Sequence, residues 1–335
     1  MPTGRPTLDL WIDEYRSIED EYLSQLRQSG IDLAPQKSDE QTDALNERKQ
    51  LLIKGGLRSL NGDASLSRGF LSSACQACVG GCGSRTFYIN LKCRRGCYFC
   101  FNPNQVEYAT HVQHDLNWKE RFEQFRQEVP SVTHVGLTGG EPLLCKEKTL
   151  EFLAYVHTRE PQAHLRLYTS GDGFDEAFAR EAANEGLDEI RFSIKLEEGR
   201  PALDEVLEQI SVAKNYIPTV MVEMPVAPGE VELMKEVLLR LDKQGADGIN
   251  LLELCYPMHR WNEFAKRGLM IKNPPFEVLY EYDYAGALPI SGSEQACLDL
   301  LEFAQANQLS LGVHYCSLAN KNIDTVLQRN RAYPL

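Results

Sequence analysis

The chain has 335 residues and a formal net charge of −13, with 43% hydrophobic and 25% charged residues. That length and balance suit a globular protein of one large or two small domains with ample core, and exclude a disordered or fibrous chain. The acidic charge argues against a broad phosphate-binding surface, hence against a nucleic-acid partner. No apolar run approaches the ~20 residues of a membrane span.

Residues 1–60 read as a helical extension. The stretch 13–29 carries Tyr15, Ile18, Tyr22 and Leu26 at helical spacing. A polar break containing Pro35 follows, and 43–60 reads as a second helix interrupted by Gly55 and Gly56. The opening MPTGRPTLDLWIDEY has no basic segment leading into an apolar core, so it does not read as a secretory signal, and a cytoplasmic location is expected. Residues 61–85 form a cysteine-rich loop, with Cys75, Cys78 and Cys82 in a glycine-rich C-x2-C-x3-C pattern.

From 86 to 255 strand-like and helix-like runs alternate. Strands are expected at 86–91, 134–138, 165–170, 189–195, 219–226 and 248–254, with helices at 117–128, 147–158, 174–185, 200–214 and 229–244. Six β/α repeats predict an α/β fold with a parallel sheet and helical crossovers. In such folds function gathers at the C-terminal strand ends. Cys93, Gly139, Ser170, Lys195, Pro225 and Glu253 lie at or near such ends. Residues 256–335 form a C-terminal extension that completes the barrel side. It starts with an aromatic- and proline-rich stretch, 256–289, then a helix at 293–308, a strand at 309–315 and Cys316.

Two motifs carry the chemistry. Cys93, Cys97 and Cys100 are spaced C-x3-C-x2-C on a loop after the first strand. Thiolates are the soft ligands of iron–sulfur clusters. Three of them on a [4Fe–4S] cluster leave one iron open. Structural zinc sites usually pair C-x2-C knuckles and close with four ligands, and disulfides belong to oxidising compartments. About forty residues on, the second strand runs into Gly139-Gly140-Glu141-Pro142. Glycines there allow close backbone approach, and Glu141 either orients a ligand ammonium or braces the loop.

The cysteine loop, with the aromatic Phe99 before its last cysteine, and the GGEP turn together resemble the radical S-adenosylmethionine (SAM) superfamily. The resemblance implies a partial (β/α)6 TIM-like barrel. It also implies SAM chelated by the open iron through its amino and carboxylate groups, with Gly139, Gly140, Glu141 and Pro142 at the amino end. The activity implied is reductive cleavage of SAM to a 5′-deoxyadenosyl radical, fed by an external one-electron reductant. Further SAM-contact candidates are Thr169, Ser170, Ser193, Lys195 and Phe99. Glu223 and Glu253 are acids within apolar strands, where an acid is costly unless paired or functional; the alternative for each is a salt bridge with Arg166, Arg191 or Lys195. No catalytic side chain is assigned.

Cys75 and Cys78, with Cys82, Cys255 and Cys316 as further ligands, are expected to hold an auxiliary iron–sulfur cluster. Structural zinc and unligated thiols are the alternatives. The stretches TFYINLKCRRGCYFCFNPNQ, EMPVAPG, NLLEL and HYCS are similar to relatives of pyruvate formate-lyase activating enzyme. They are also similar to maturases of ribosomal natural-product precursors, including the tyramine-excising spliceases. This implies a peptide substrate and an accessory peptide-recognition protein. A glycyl-radical-enzyme activase and an RNA-modifying enzyme are the competing expectations. The aromatics after Cys255 (Tyr256, Trp261, Phe264, Phe276, Tyr280, Tyr282 and Tyr284) either line a substrate opening or pack as a cap.

Overall fold

A computed structural model describes residues 6–79, 83–275 and 287–323. The N-terminal extension is two helices, α1 (Pro6–Gln28) and α2 (Asp39–Lys54). Ser38 and Gln41 cap α2 reciprocally, each side chain bonding the other's backbone N–H. The helix stops at Gly55, and Arg58–Leu60 is a strand, β1, rather than a continuation of the helix as expected. Its partner is antiparallel β2 (Ser65–Arg68). That pairing overrides a local helical pattern in a segment of only three residues.

A short helix, α3 (Ser73–Gln76), precedes β3 (Ser84–Tyr88). Then follow α4 (Tyr108–Gln113), α5 (Trp118–Glu128), β4 (His134–Thr138), α6 (Lys146–Arg159), β5 (His164–Thr169), α7 (Glu176–Asn184), β6 (Glu189–Phe192), α8 (Arg200–Ala213), β7 (Thr219–Val226), α9 (Val231–Gln244) and β8 (Gly248–Glu253). The chain continues through β9 (Cys255–Tyr256), α10 (Trp261–Ala265), β10 (Leu288–Pro289), α11 (Ser293–Ala306) and β11 (Gly312–Cys316).

All six expected strands form, in one sheet ordered β1-β2-β11-β8-β7-β6-β5-β4-β3. Strands β3 to β8 run parallel and in sequence order, as successive β/α units dictate. The sheet is wider than six strands: β11 adds a seventh parallel strand beside β8, and β2 pairs antiparallel with it. The result is an open, partial barrel. Period-2 alternation sorts its two faces. Ile190, Phe192, Val220, Val222, Ile249, Leu251 and Val313 are fully or almost fully buried in the apolar layer shared with the helices. Alternate residues (Arg166, Tyr168, Glu189, Arg191, Glu223, Asn250 and His314) face the barrel interior, where they bond one another. Among the described residues no helix is long and apolar enough to cross a membrane.

The N-terminal extension is built into this frame. Leu23 and Leu26 of α1 share a buried cluster with Tyr98, Leu254, Tyr256 and Phe264. Lys49 of α2 pairs with buried Glu294 of α11 at 2.6 Å.

Candidate active site

The cysteine loop and the GGEP turn leave adjacent strands, β3 and β4, at their C-terminal ends, so the sheet brings them side by side. The Gly140 N–H donates to Asn90 O at 3.2 Å and the Glu141 N–H to Lys92 O at 2.7 Å. A Cβ on Gly140 would lie 1.9 Å from Lys92 O, and one on Gly139 2.5 Å from Asn90 O. Gly139 also has φ +134, outside the range of ordinary L residues. The glycine pair is therefore needed for the approach of the two loops to each other. On the far side of the cysteines, Asn102 Nδ2 donates to Gly139 O at 2.6 Å.

Glu141 is buried and fully occupied. Its Oε1 accepts from Leu143 N–H at 3.0 Å and Thr169 Oγ1 at 2.6 Å. Its Oε2 accepts from Ser170 N–H at 2.6 Å and Ser170 Oγ at 2.7 Å. These bonds lock the GGEP turn to the end of β5 through Glu141.

The three cysteines edge a cavity of about 380 Å³ at the C-terminal mouth of the barrel. Of the expected SAM-contact residues, Phe99, Gly140, Glu141, Thr169, Ser170, Ser193, Lys195 and Glu223 line it together with Cys93, Cys97 and Cys100. Gly139 and Pro142 sit behind the wall; Pro142 O accepts from buried Thr149. Lys195 Nζ donates to Ser193 Oγ at 2.6 Å and lies 5.4 Å above the Phe99 ring. Arg95, between the first two cysteines, is held by Asp172 and Glu198. Tyr168, Arg191, Pro225, Leu252, Glu253 and Cys255 complete the opposite wall and floor.

The two acids read from the strands differ. Glu223 is a brace: it accepts from Arg191 Nη1 at 2.6 Å and Asn250 Nδ2 at 2.7 Å. Burial pushes Glu253 up from the usual carboxylate range, and neighbouring Glu294 adds to the effect. Its Oε2 accepts from the Leu318 N–H at 2.8 Å, and none of the three expected cations pairs with it.

Cys93, Cys97 and Cys100 carry free thiols. Burial pushes Cys97 up, and the Lys195 ammonium beside it pulls the other way. Three soft donors on one loop, facing a cavity with polar and cationic walls, fit a cluster with one open iron. Among the described residues no three His, Cys, Asp or Glu groups converge on a single metal ion. A cubane asks for less convergence, since each thiolate takes a different iron.

Among the described residues the expected auxiliary ligands occupy different settings. Cys75 points into the barrel interior, where its Sγ accepts from Arg191 Nη2 and Asn250 Nδ2, both at 3.3 Å. Cys78 is exposed, and Cys82 lies outside the described residues. Cys255 is buried in the cavity wall, pushed up to about 12 by desolvation. Cys316 ends β11 and is pushed up to about 11 for the same reason.

Among the cavity residues without a sequence signal of their own are His259 and Arg260, which follow β9 and bond the cysteine loop. Their only signal was position, just past Cys255. Tyr256, Trp261 and Phe264 pack edge-on and stacked on one another, and Tyr256 and Phe264 are buried. These three are a packed cap rather than a lining. Phe276, Tyr280, Tyr282 and Tyr284 lie outside the described residues.

Residues 88–241 match the model of the radical SAM superfamily. A protein of Methanocaldococcus jannaschii, named as a candidate glycyl-radical enzyme activating enzyme, is 27% identical over 271 residues, covering 78% of this chain and 66% of its own. Among solved structures, anSMEcpe with bound AdoMet and Cp18Cys peptide overlaps 52% of each chain, at 13% identity and TM-score 0.42. Streptococcus suis SuiB bound to precursor peptide SuiA overlaps 78% of this chain and 59% of its own, at 11% identity and TM-score 0.42. The chain spans 66% of the curated relative's length and between half and two thirds of these solved chains.

Proposed function

We propose, for a chain that carries a radical SAM domain over residues 88–241, that this radical SAM enzyme abstracts hydrogen from a polypeptide. The observation that carries the site is the meeting of three free thiols and a Glu141-braced loop on one cavity. What supports a polypeptide substrate is the name of the 27% identical relative, since a glycyl radical resides on a protein backbone. The acidic charge of the chain points the same way, against nucleic acid.

Cys93, Cys97 and Cys100 would hold the [4Fe–4S] cluster. That cluster with SAM supplies, when bound, the one-electron cleavage that yields a 5′-deoxyadenosyl radical. The chain's own residues bind and align. Thr169 and Ser170 face the cavity with their hydroxyls set by Glu141, so Glu141 acts through them. Ser193 and Lys195 offer a hydroxyl and an ammonium to the ribose and carboxylate of SAM. Phe99, Pro225 and Leu252 give the cavity apolar surface and limit water. Arg191, Glu223 and Asn250 form a bonded floor.

Within this reading, activation of a glycyl-radical enzyme and maturation of a precursor peptide, including tyramine excision, share one chemistry at the site. The relative's name favours activation. A maturase would call for an accessory recognition protein, and both need an external reductant. A second cluster rests on the C-x2-C-x3-C spacing of Cys75, Cys78 and Cys82; the described geometry adds no support, because Cys75 is bonded to Arg191 and Asn250.

The test is anaerobic reconstitution followed by SAM and a low-potential reductant. 5′-Deoxyadenosine should form, and a candidate polypeptide should show either a glycyl-radical EPR signal or a SAM-dependent mass change. Modification of tRNA with polypeptides untouched would overturn the substrate assignment.

A further inference from the structure

The turn between β9 and α10 lies outside the matched domain, yet it reaches back onto the cysteine loop. His259 Nε2 lies 2.8 Å from Cys100 O; a carbonyl only accepts, so Nε2 carries the proton and donates. Arg260 Nη1 donates to Gly96 O at 2.9 Å and Cys97 O at 3.4 Å. Pro257 O accepts from Asn104 Nδ2 at 2.8 Å, which ties the turn to the residues following the last cysteine. His259 and Arg260 both line the cavity.

The backbone of this turn is unusual. Met258 has φ +61 and Arg260 φ +59, left-handed values that are uncommon for long side chains. Such conformations persist where the surroundings over-determine them, often at functional sites. Two of the arginines at the loop, Arg95 and Arg260, also differ. Arg95 is neutralised by Asp172 and Glu198. Among the described residues Arg260 bonds only carbonyls of the loop, so no carboxylate cancels its charge.

We propose that Arg260 is a positioning residue whose uncancelled charge raises the reduction potential of the cluster held by Cys93, Cys97 and Cys100, while His259 fixes the loop at its last ligand. The inference rests on the cluster assignment above. Cluster potentials follow net charge, hydrogen bonding and exposure, and a cation at short range favours the state that has gained one electron from the external reductant. The position of Arg260, bonded on either side of Cys97, makes it part of the site although it lies outside the matched domain.

The test needs no substrate. Full-length protein is reconstituted anaerobically, and the EPR signal of the reduced cluster is followed against potential with solution mediators. In Arg260→Gln the oxidised-to-reduced ratio at the wild-type midpoint should rise about tenfold, a lowering of ~59 mV for one electron. Arg260→Lys, which keeps the charge, should stay within threefold of wild type. An unchanged midpoint in an iron-replete Arg260→Gln protein overturns the proposal. If Arg260→Gln assembles no cluster, Arg260→Lys decides. A wild-type midpoint there supports the proposal; failure to assemble, or a strongly lowered midpoint, overturns it. Absence of any reducible cluster in the wild type would instead sink the cluster assignment itself, and this inference with it.

Discussion

Two cysteine loops flank β3, and their spacings are mirror images: C-x2-C-x3-C at Cys75, Cys78 and Cys82, and C-x3-C-x2-C at Cys93, Cys97 and Cys100. The second leaves the C-terminal end of a parallel strand and keeps its three thiols around a cavity. The first approaches the other end of the sheet. There Ser72 and Cys75 enter the barrel interior and bond Glu189, Arg191 and Asn250. The difference teaches that cysteine spacing alone does not fix where a thiol points; the strand the loop adjoins does. One loop keeps its thiols at the C-terminal mouth of the parallel sheet, and the other sends a thiol into the polar interior.

The strongest way to break this comparison is to remove the upper loop's thiols. Replacing Cys93, Cys97 and Cys100 with Ala should abolish both cluster iron and 5′-deoxyadenosine. Iron analysis and chromatography check this, and undiminished product would refute the assignment.

Acid sharpens the contrast, because the titrating groups crowd the lower interior around Cys75. Burial pushes the Glu189 carboxyl up, but His164, Arg191 and Ser72 outweigh it and hold it at about 2. Burial drives His314 down to about 4, with Arg191 adding to the effect. In the unfolded chain the Glu binds its proton near pH 4.5 and the His near 6.5, so in both cases the unfolded state takes up protons first. Stability should therefore fall as pH drops from 6.5 to 4 through His314, and further from 4.5 to 2 through Glu189. Each contributes on the order of 3 kcal/mol. Urea midpoints measured against pH report this, and His314→Gln should flatten the upper part of the curve.

Glu141→Gln tests whether the upper site depends on its brace. The amide keeps one acceptor but turns an N–H₂ toward donors that Glu141 now satisfies. Stability should fall by about 1–3 kcal/mol. SAM affinity should weaken about tenfold, or 1.4 kcal/mol, by isothermal titration of the reconstituted protein, with iron content kept. Unchanged SAM affinity would mean that Thr169 and Ser170 do not need Glu141.

The smallest effect is expected at Cys75. Cys75→Ala leaves Arg191 Nη2 and Asn250 Nδ2 each short of one acceptor, costing about 1 kcal/mol. Iron should stay at about four per chain, the content of a single cubane. A wild-type content near eight, halved by this change, would restore the auxiliary cluster and collapse the contrast between the loops.

Most of the frame was legible in the chain. The six strand runs of β3 to β8 and the helices between them appear where periodicity put them, because apolar alternation and helical spacing are local signals. Segment 58–60 was misread because a three-residue strand has too little pattern to outweigh its helical neighbour. The 309–315 strand is legible in the chain, but its place beside β8 is not, since that pairing joins segments distant in the sequence. At the site, the three cysteines and GGEP stood out because ligand spacing is a local property. The sequence leaves Glu223 more than one role, and only the strand register selects its partner, Arg191.

By itself the sequence determined the order of β/α units, the cysteine loop at the end of the first parallel strand, and the glycine pair that lets a second loop lie against it. These follow from short-range periodicity and from residue types with few alternative uses. Only the tertiary structure decided that Glu141 is a brace, that Cys75 belongs to a buried polar network, and that His259 and Arg260 clasp the cysteine loop. Each of these depends on side chains far apart in the chain meeting at hydrogen-bond distance. That depends on strand register and on turns with left-handed backbone, and neither leaves a periodic trace in the sequence.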